Sequence, residues 1–252
     1  MEKVSIERIG FTWMSLMTNV YPGVNKTSPE ILPMSLLRAL LWTVLFAVAF
    51  AWVEASVVVY LRDIYYPQGF SFPLQSLSVS RVPIELVREC STLVMLAAIG
   101  ILAGTTRWQR FAYFAVAFGV WDIFFYVWLK VALDWPASVF DWDILFLLPL
   151  PWIGPVLAPV LVSLGLIFAG LLILRQERVM PFRPTGPAWT LGSAGSVIVL
   201  WTFMHDTDAT LHGSMPAAYP FEVFSAGLAC YAAALWVSMK GAHRRITNGN
   251  PK

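Results

Sequence analysis

Three acidic residues that could bind a proton or a metal ion lie within long apolar stretches of this sequence: Glu54, Glu89 and Asp122. Asp122 lies near the middle of its stretch, whereas Glu54 and Glu89 lie nearer one end of theirs. A charge at the centre of a bilayer costs about 2.5–3.5 kcal/mol on insertion scales. Each carboxyl group must therefore be protonated, ion-paired, metal-bound or hydrated, and we predict that these three residues carry the chemistry.

A polar stripe accompanies these acids in the stretch "RVPIELVRECST". Glu85, Arg88, Glu89 and Thr92 are three or four residues apart, which places them on one face of a helix. Further along the chain we expect Lys130 to act as a counter-charge of the acids, and an indole N–H such as that of Trp121 to donate to Asp122. The residues predicted to contact a ligand are Glu85, Arg88, Lys130 and Trp121.

The segment "HDTDATLHGSMP" contains imidazole and carboxylate groups close together. His205, Asp208 and His212 could bind a divalent metal ion, because zinc, copper and iron all accept these donors. The spacing matches no specific metal motif, so further ligands would have to come from the acids of the apolar stretches. The alternative is a hydrated loop in which the Asp and Thr side chains stabilise turns.

The elements that must position these residues are membrane helices. The chain has 252 residues, of which 58% are hydrophobic and 13% charged, whereas soluble domains are about a quarter charged. A membrane helix needs about 20 apolar residues, and six stretches satisfy this. We predict an all-α, polytopic integral membrane protein with six transmembrane helices: Leu36–Tyr60, Pro83–Gly104, Trp108–Leu133, Ile153–Leu174, Pro187–Met204 and Ala217–Met239.

One segment fits neither a loop nor a full span. Between Trp135 and Pro155 the chain reads "WPASVFDWDILFLLPLPWIGP", whose apolar part is too short to cross a bilayer and is interrupted by prolines. We predict that it lies along the interface or re-enters the membrane. Asp134, Asp141 and Asp143 are then expected outside the membrane, over the mouth of a polar pocket walled by the first, second, third and fifth helices.

Basic residues predict the orientation of the chain. With a cytoplasmic N-terminus, 13 of the 17 Lys and Arg residues lie on the cytoplasmic side, as the positive-inside rule requires. Both termini are then cytoplasmic and the protein is in the cell's inner membrane. In the same orientation the embedded acids lie at the midplane or in the outer half, which predicts a pocket open to the exterior.

The chain divides into three parts by composition. Residues 1–33 form a cytoplasmic segment whose apolar residues recur at helical spacing, residues 34–239 a single membrane domain, and residues 240–252 a basic cytoplasmic tail. The net charge of +2 excludes the concentrated basic surface that nucleic acid requires. Cys90 and Cys230 occur in apolar stretches, so packing explains them better than a disulfide does.

No HExxH, ExxH, GxSxG, Walker or GxGxxG motif is present. Three functions therefore stay open. The first is an enzyme or transporter whose exterior-facing acidic site binds a cation, either a proton or a metal ion. The second is a non-catalytic subunit that uses the same acids to pair with other membrane subunits. The third is lipid or isoprenoid processing. The lipid bilayer is a partner in all three.

Overall fold

The computed structural model of the protein describes residues 35–70, 72, 82–147, 150–208 and 212–247, with side chains up to residue 241. The predicted N-terminal segment 1–33 lies outside the described residues, as does residue 248 onward of the predicted tail. Within the described residues, eight elements follow one another in the order α1–α2–α3–β1–β2–α4–α5–α6.

Six helices in this part of the chain are each long and apolar enough to cross a membrane. Their number is the predicted one, and their ends differ from the predicted ends by a few residues except at the end of α6. The helices are α1 (Leu36–Tyr65), α2 (Val82–Ala103), α3 (Arg107–Leu133), α4 (Leu157–Glu177), α5 (Gly186–Met204) and α6 (Phe221–Thr247).

Local sequence explains several helix ends. The hydroxyl of Thr106 accepts a hydrogen bond from the backbone N–H of Gln109 and caps α3, and Thr185 caps α5 in the same way. Pro83 and Pro187 lie in first turns, as predicted, where a missing N–H breaks no helical hydrogen bond.

The proline-rich segment after α3 forms a β-hairpin. Strand β1 (Trp142–Phe146) pairs antiparallel with strand β2 (Trp152–Pro155), and Asp143 lies opposite Gly154. The all-α prediction therefore holds for the six helices but not for this segment. The prediction that the fourth helix begins at Ile153 is wrong, because residues 152–155 are paired in β2 and α4 begins only at Leu157.

Helix α3 is the centre of the main packing unit, because it packs against α1, α2 and α4. The α3–α4 contact is close and antiparallel: a Cβ atom on Gly119 would lie 2.5 Å from the carbonyl oxygen of Ser163, and one on Gly170 would lie 2.7 Å from that of Ala112. Glycine is thus required at both positions for the helices to approach this closely.

The hairpin lies between this unit and a second pair of helices. Helices α5 and α6 pack against each other, and β2 contacts both α4 and α5. Aromatic rings of the hairpin fill this space. Trp152 stacks on Phe203 of α5, and the ring centroids of Phe146 and Trp121, in the middle of α3, are 6.4 Å apart. The hairpin therefore extends from the end of the helices where α1 and α3 finish, which we name the hairpin end, to the middle of α3.

Candidate functional site

The first part of the site is an ion-paired group between α1 and α2. The guanidinium group of Arg88 bonds to Glu54 of α1 and, at 2.8 Å, to Glu85 one turn earlier on its own helix. The hydroxyl of Thr92 donates to the second oxygen of Glu54 at 2.7 Å. Both acids are buried, whereas 24% of the Arg88 side chain is exposed. The polar stripe predicted on α2 is thus present and is joined to Glu54.

A second ion pair connects the end of α1 to the hairpin. Arg62 donates to Asp143 of β1 at 3.1 Å, and both side chains are at least nine-tenths buried. The rings of Phe70 and Trp135 flank the guanidinium group, with centroids 4.1 and 3.8 Å from its central carbon atom. The hydroxyl of Tyr126 on α3 also interacts with Asp143. Asp143 was predicted outside the membrane helices, over the pocket; β1 instead inserts it among them.

Asp122 has a different kind of partner. Its carboxylate accepts a hydrogen bond of 2.8 Å from the hydroxyl of Ser163 on α4, and no cation of the described residues lies within ion-pair distance of it. The residue is half-buried although it lies near the middle of α3. The expected indole donor is not used: the Nε1 atom of Trp121 is buried and has no hydrogen-bond partner in the described part of the chain.

Glu89 anchors the inner end of the hairpin. Its two carboxylate oxygens accept from the backbone N–H of Leu147, at 3.0 and 2.9 Å. Leu147 follows β1 directly, so this contact satisfies a backbone donor at the point where the chain turns. Backbone groups without partners are costly in apolar surroundings. Glu89 thus stabilises the turn of the hairpin.

These residues form what we name the polar centre. Five carboxyl groups lie on the hairpin and on the hairpin-end halves of α1, α2 and α3, together with two guanidinium groups of the described residues. The members are Glu54, Glu85, Glu89, Asp122 and Asp143 with Arg62 and Arg88. Low-dielectric surroundings penalise unbalanced charge strongly. Asp122, whose bonded partner among the described residues is a neutral hydroxyl, must therefore bind a proton or another cation, or be hydrated.

Lys130 belongs to a separate contact at the end of α3. Its amine bonds to the carboxylate of Asp134 at 2.7 Å and to the carbonyl oxygens of Asp134 and Pro136, and half of its side chain is exposed. Lys130 lowers the pKa of Asp134, mainly through the hydrogen bond between them. The expectation that Lys130 is a counter-charge of the embedded acids is therefore not supported, because it stabilises the end of the helix instead.

The predicted metal ligands do not form a cluster. The Nδ1 atom of His212 lies 3.1 Å from a carboxylate oxygen of Asp208. The Nδ1 atom of His205 instead bonds to the carbonyl oxygen of Thr202, and the ring of His205 packs on Trp201. Among the described residues, no group of three or more His, Cys, Asp or Glu side chains is placed to hold a metal ion. The metal site stays a prediction without structural support.

We predicted that the fifth helix, α5, would form one wall of the polar pocket, but its described polar residues lie elsewhere. Its buried hydroxyl, Thr202, lies 3.0 Å from the hydroxyl of Tyr219, and burial raises the pKa of that phenol. The fourth helix and the hairpin complete the centre in its place. Sequence reasoning missed Ser163 and Tyr126, because nothing distinguishes them from other polar residues in apolar helices, and it assigned Asp143 to the wrong environment.

Comparison of the chain with protein-family models, with curated proteins and with solved structures gave no match. Within the described residues, the fold consists of six helices of membrane-spanning length and composition with a β-hairpin packed among them.

Proposed function

We propose that the protein is a multi-pass inner-membrane protein whose polar centre binds and releases protons at the outer side, as part of a transporter or an enzyme. The six apolar helices support the membrane location. The observation that carries the proposal is Asp122, a carboxyl group near the middle of a spanning helix whose bonded partner is the neutral hydroxyl of Ser163. Such a carboxyl is uncharged only when it holds a proton.

The distribution of basic residues supports the outward direction of the hairpin end. Exposed basic side chains collect at the opposite end of the helices, where the positive-inside rule expects the cytoplasm. They are Arg38, Arg107, Arg110, Arg175, Arg178, Arg183 and Lys240. At the hairpin end the described basic residues Arg62, Arg88 and Lys130 are each ion-paired with an acid. Both termini are then cytoplasmic and the centre opens outward.

A proton is favoured over a metal ion by the partners of the acids. Glu54 and Glu85 share Arg88, Asp143 binds Arg62 through one of its two oxygens, and Glu89 accepts from a backbone N–H, so each of these carboxyl groups already has a protein donor. A metal ion needs several free oxygen, nitrogen or sulfur ligands at once. A proton needs one carboxylate oxygen, which Asp122 provides.

Infrared difference spectroscopy tests the proposal directly. Protein reconstituted in liposomes is stepped in external pH, and the C=O stretch of protonated carboxyl groups is recorded. We expect a band that appears and disappears with pH and is missing in Asp122→Asn. The matched control is Asp134→Asn, whose carboxylate is exposed at the end of α3, and which should leave the band intact. A spectrum that Asp122→Asn does not alter would contradict the proposal.

The Glu54–Arg88–Glu85 group favours a second candidate, a subunit of a larger membrane complex, because two acids share one guanidinium group and could pair with a cation of another subunit. Purification in a mild detergent distinguishes the two. A stable, monodisperse 28.2 kDa chain with an Asp122 infrared band supports proton binding by the isolated protein. Aggregation that ends when another membrane protein co-purifies, together with the absence of that band, would favour the subunit.

A further inference from the structure

Tyr126 of α3 lies close to two acids of the polar centre, Asp122 and Asp143. It is four residues after Asp122 on α3, so the two side chains are neighbours on one face of the helix. Its phenol is buried, interacts with Asp143 and is electrostatically coupled to Asp122. From α3, Tyr126 thus faces an acid on its own helix and an acid on β1.

A second, independent observation marks the same place. The Oδ2 atom of Asp143 and the Nη1 atom of Arg62 are both buried and have no hydrogen-bond partner among the described residues. Both side chains are more than nine-tenths buried. Buried polar atoms of this kind mark positions where proteins hold ordered water or pass protons. An acceptor and a donor thus adjoin the hydroxyl of Tyr126.

The groups around the phenol of Tyr126 differ in whether they can take up and release a proton. Arg62 stays charged at all accessible pH values, and the aromatic rings of Phe70 and Trp135 hold it in place. Tyr66, which directly follows α1, is a further phenol within electrostatic reach of Arg62. The carboxyl groups are the members that can take up and lose a proton, and Tyr126 can connect them without a net change of its own charge.

We propose that Tyr126 relays protons between Asp122 and Asp143, so that β1 supplies the outward station of the proton path. The phenol oxygen accepts the proton of Asp122 while its own O–H proton passes to Asp143. Asp122 becomes a carboxylate, Asp143 becomes a carboxylic acid, and Tyr126 is again a neutral phenol. Asp143 then loses the proton toward the hairpin end. This relay rests on the proposed function, since it requires that Asp122 exchanges protons.

Time-resolved infrared spectroscopy after a jump in external pH tests the relay in the full-length protein in liposomes. The test variant is Tyr126→Phe, which removes the hydroxyl and keeps the ring. We expect the Asp122 band to keep its amplitude but to respond roughly 100-fold more slowly, the lower end of what a positioned proton-transfer group contributes. The second variant, Asp143→Asn, should slow the band in the same way, and an unaltered rate in that variant would count against Asp143 as the outward station.

The matched control is Tyr113→Phe. Tyr113 is also buried on α3, but it packs with Ala39 and Phe182 away from the polar centre, so its loss should not change the rate. An Asp122 band that responds at the wild-type rate in Tyr126→Phe would overturn the relay alone. The lack of any Asp122 band in the wild-type protein would overturn the proposed function and the relay with it.

Discussion

The two arginine residues of the polar centre are held in contrasting ways. Arg88 bonds to two acids and is 24% exposed, whereas Arg62 bonds to one acid and is 8% exposed between two aromatic rings. Loss of one acid leaves Arg88 with a second partner and some hydration. Loss of Asp143 leaves Arg62 with neither. We therefore expect that loss of the acid partner of Arg62 lowers the free energy of unfolding more than loss of one acid partner of Arg88.

The largest effect is expected from Asp143→Ala. It leaves the guanidinium group of Arg62 buried without its acid, which should lower the free energy of unfolding by about 3–5 kcal/mol. Chemical denaturation in detergent measures this. The control is the double variant Arg62→Met with Asp143→Leu, which removes both charges and should recover most of the loss. If the single variant is no less stable than the double one, Arg62 is not held as the structure indicates.

A smaller effect is expected from Glu54→Gln. The amide keeps an acceptor for Thr92 but loses the charge opposite Arg88, which retains Glu85. We expect the free energy of unfolding to fall by about 1.5–3 kcal/mol, the range for a bond to a charged group, in the same denaturation experiment. A loss as large as that of Asp143→Ala would erase the distinction between the two arginine residues.

A still smaller effect is expected from Glu85→Gln. Glu85 and Arg88 are three residues apart on α2, and the side chain of Glu85 is 10% exposed. Because Arg88 keeps its bond to Glu54, the change should lower the free energy of unfolding by at most about 1 kcal/mol, the typical net value of one intramolecular hydrogen bond. Measured beside Glu54→Gln, it shows which acid Arg88 depends on; a greater loss in Glu85→Gln would reverse that assignment.

The smallest effect is expected from Asp134→Asn, outside both arginine groups. Asp134 adopts a left-handed conformation at φ 52°, which Asn also tolerates. Lys130 holds the pKa of Asp134 below its usual 3.8. The pair therefore favours the folded state above that pH, and the contribution disappears as the pH falls through the lowered pKa. We expect the variant to melt only slightly below wild type at neutral pH and at the same temperature below the lowered pKa; a large loss at neutral pH would mean that the pair is stronger than its exposure indicates.

The sequence predicts the helices well and the polar centre only in part. Six apolar stretches of sufficient length are a local property, so the six helices were found. The stripe from Glu85 to Thr92 follows from helical spacing in the same way. The hairpin was predicted only as a segment that does not cross, because a short apolar run broken by prolines has no periodicity that separates a strand from other structures.

The pairing of the charges was not predictable for a different reason. Arg62 and Asp143 are 81 residues apart, and Leu147 is 58 residues from Glu89. Such contacts depend on how the helices are rotated and on where the hairpin docks, and neither is encoded in a local pattern. Asp143 was assigned to an external segment because it follows Asp134 and Asp141 in a stretch whose apolar part is too short to cross a bilayer.

The hairpin also constrains how the chain is assembled. Helices enter a bilayer individually and associate afterwards, but the inner turn of the hairpin needs Glu89 of α2, and Asp143 needs Arg62 of α1. Glu89 and Arg62 are in position only after α1, α2 and α3 have packed together. We therefore expect the segment between α3 and α4 to remain at the membrane surface during biosynthesis and to adopt its folded structure after the helices have packed.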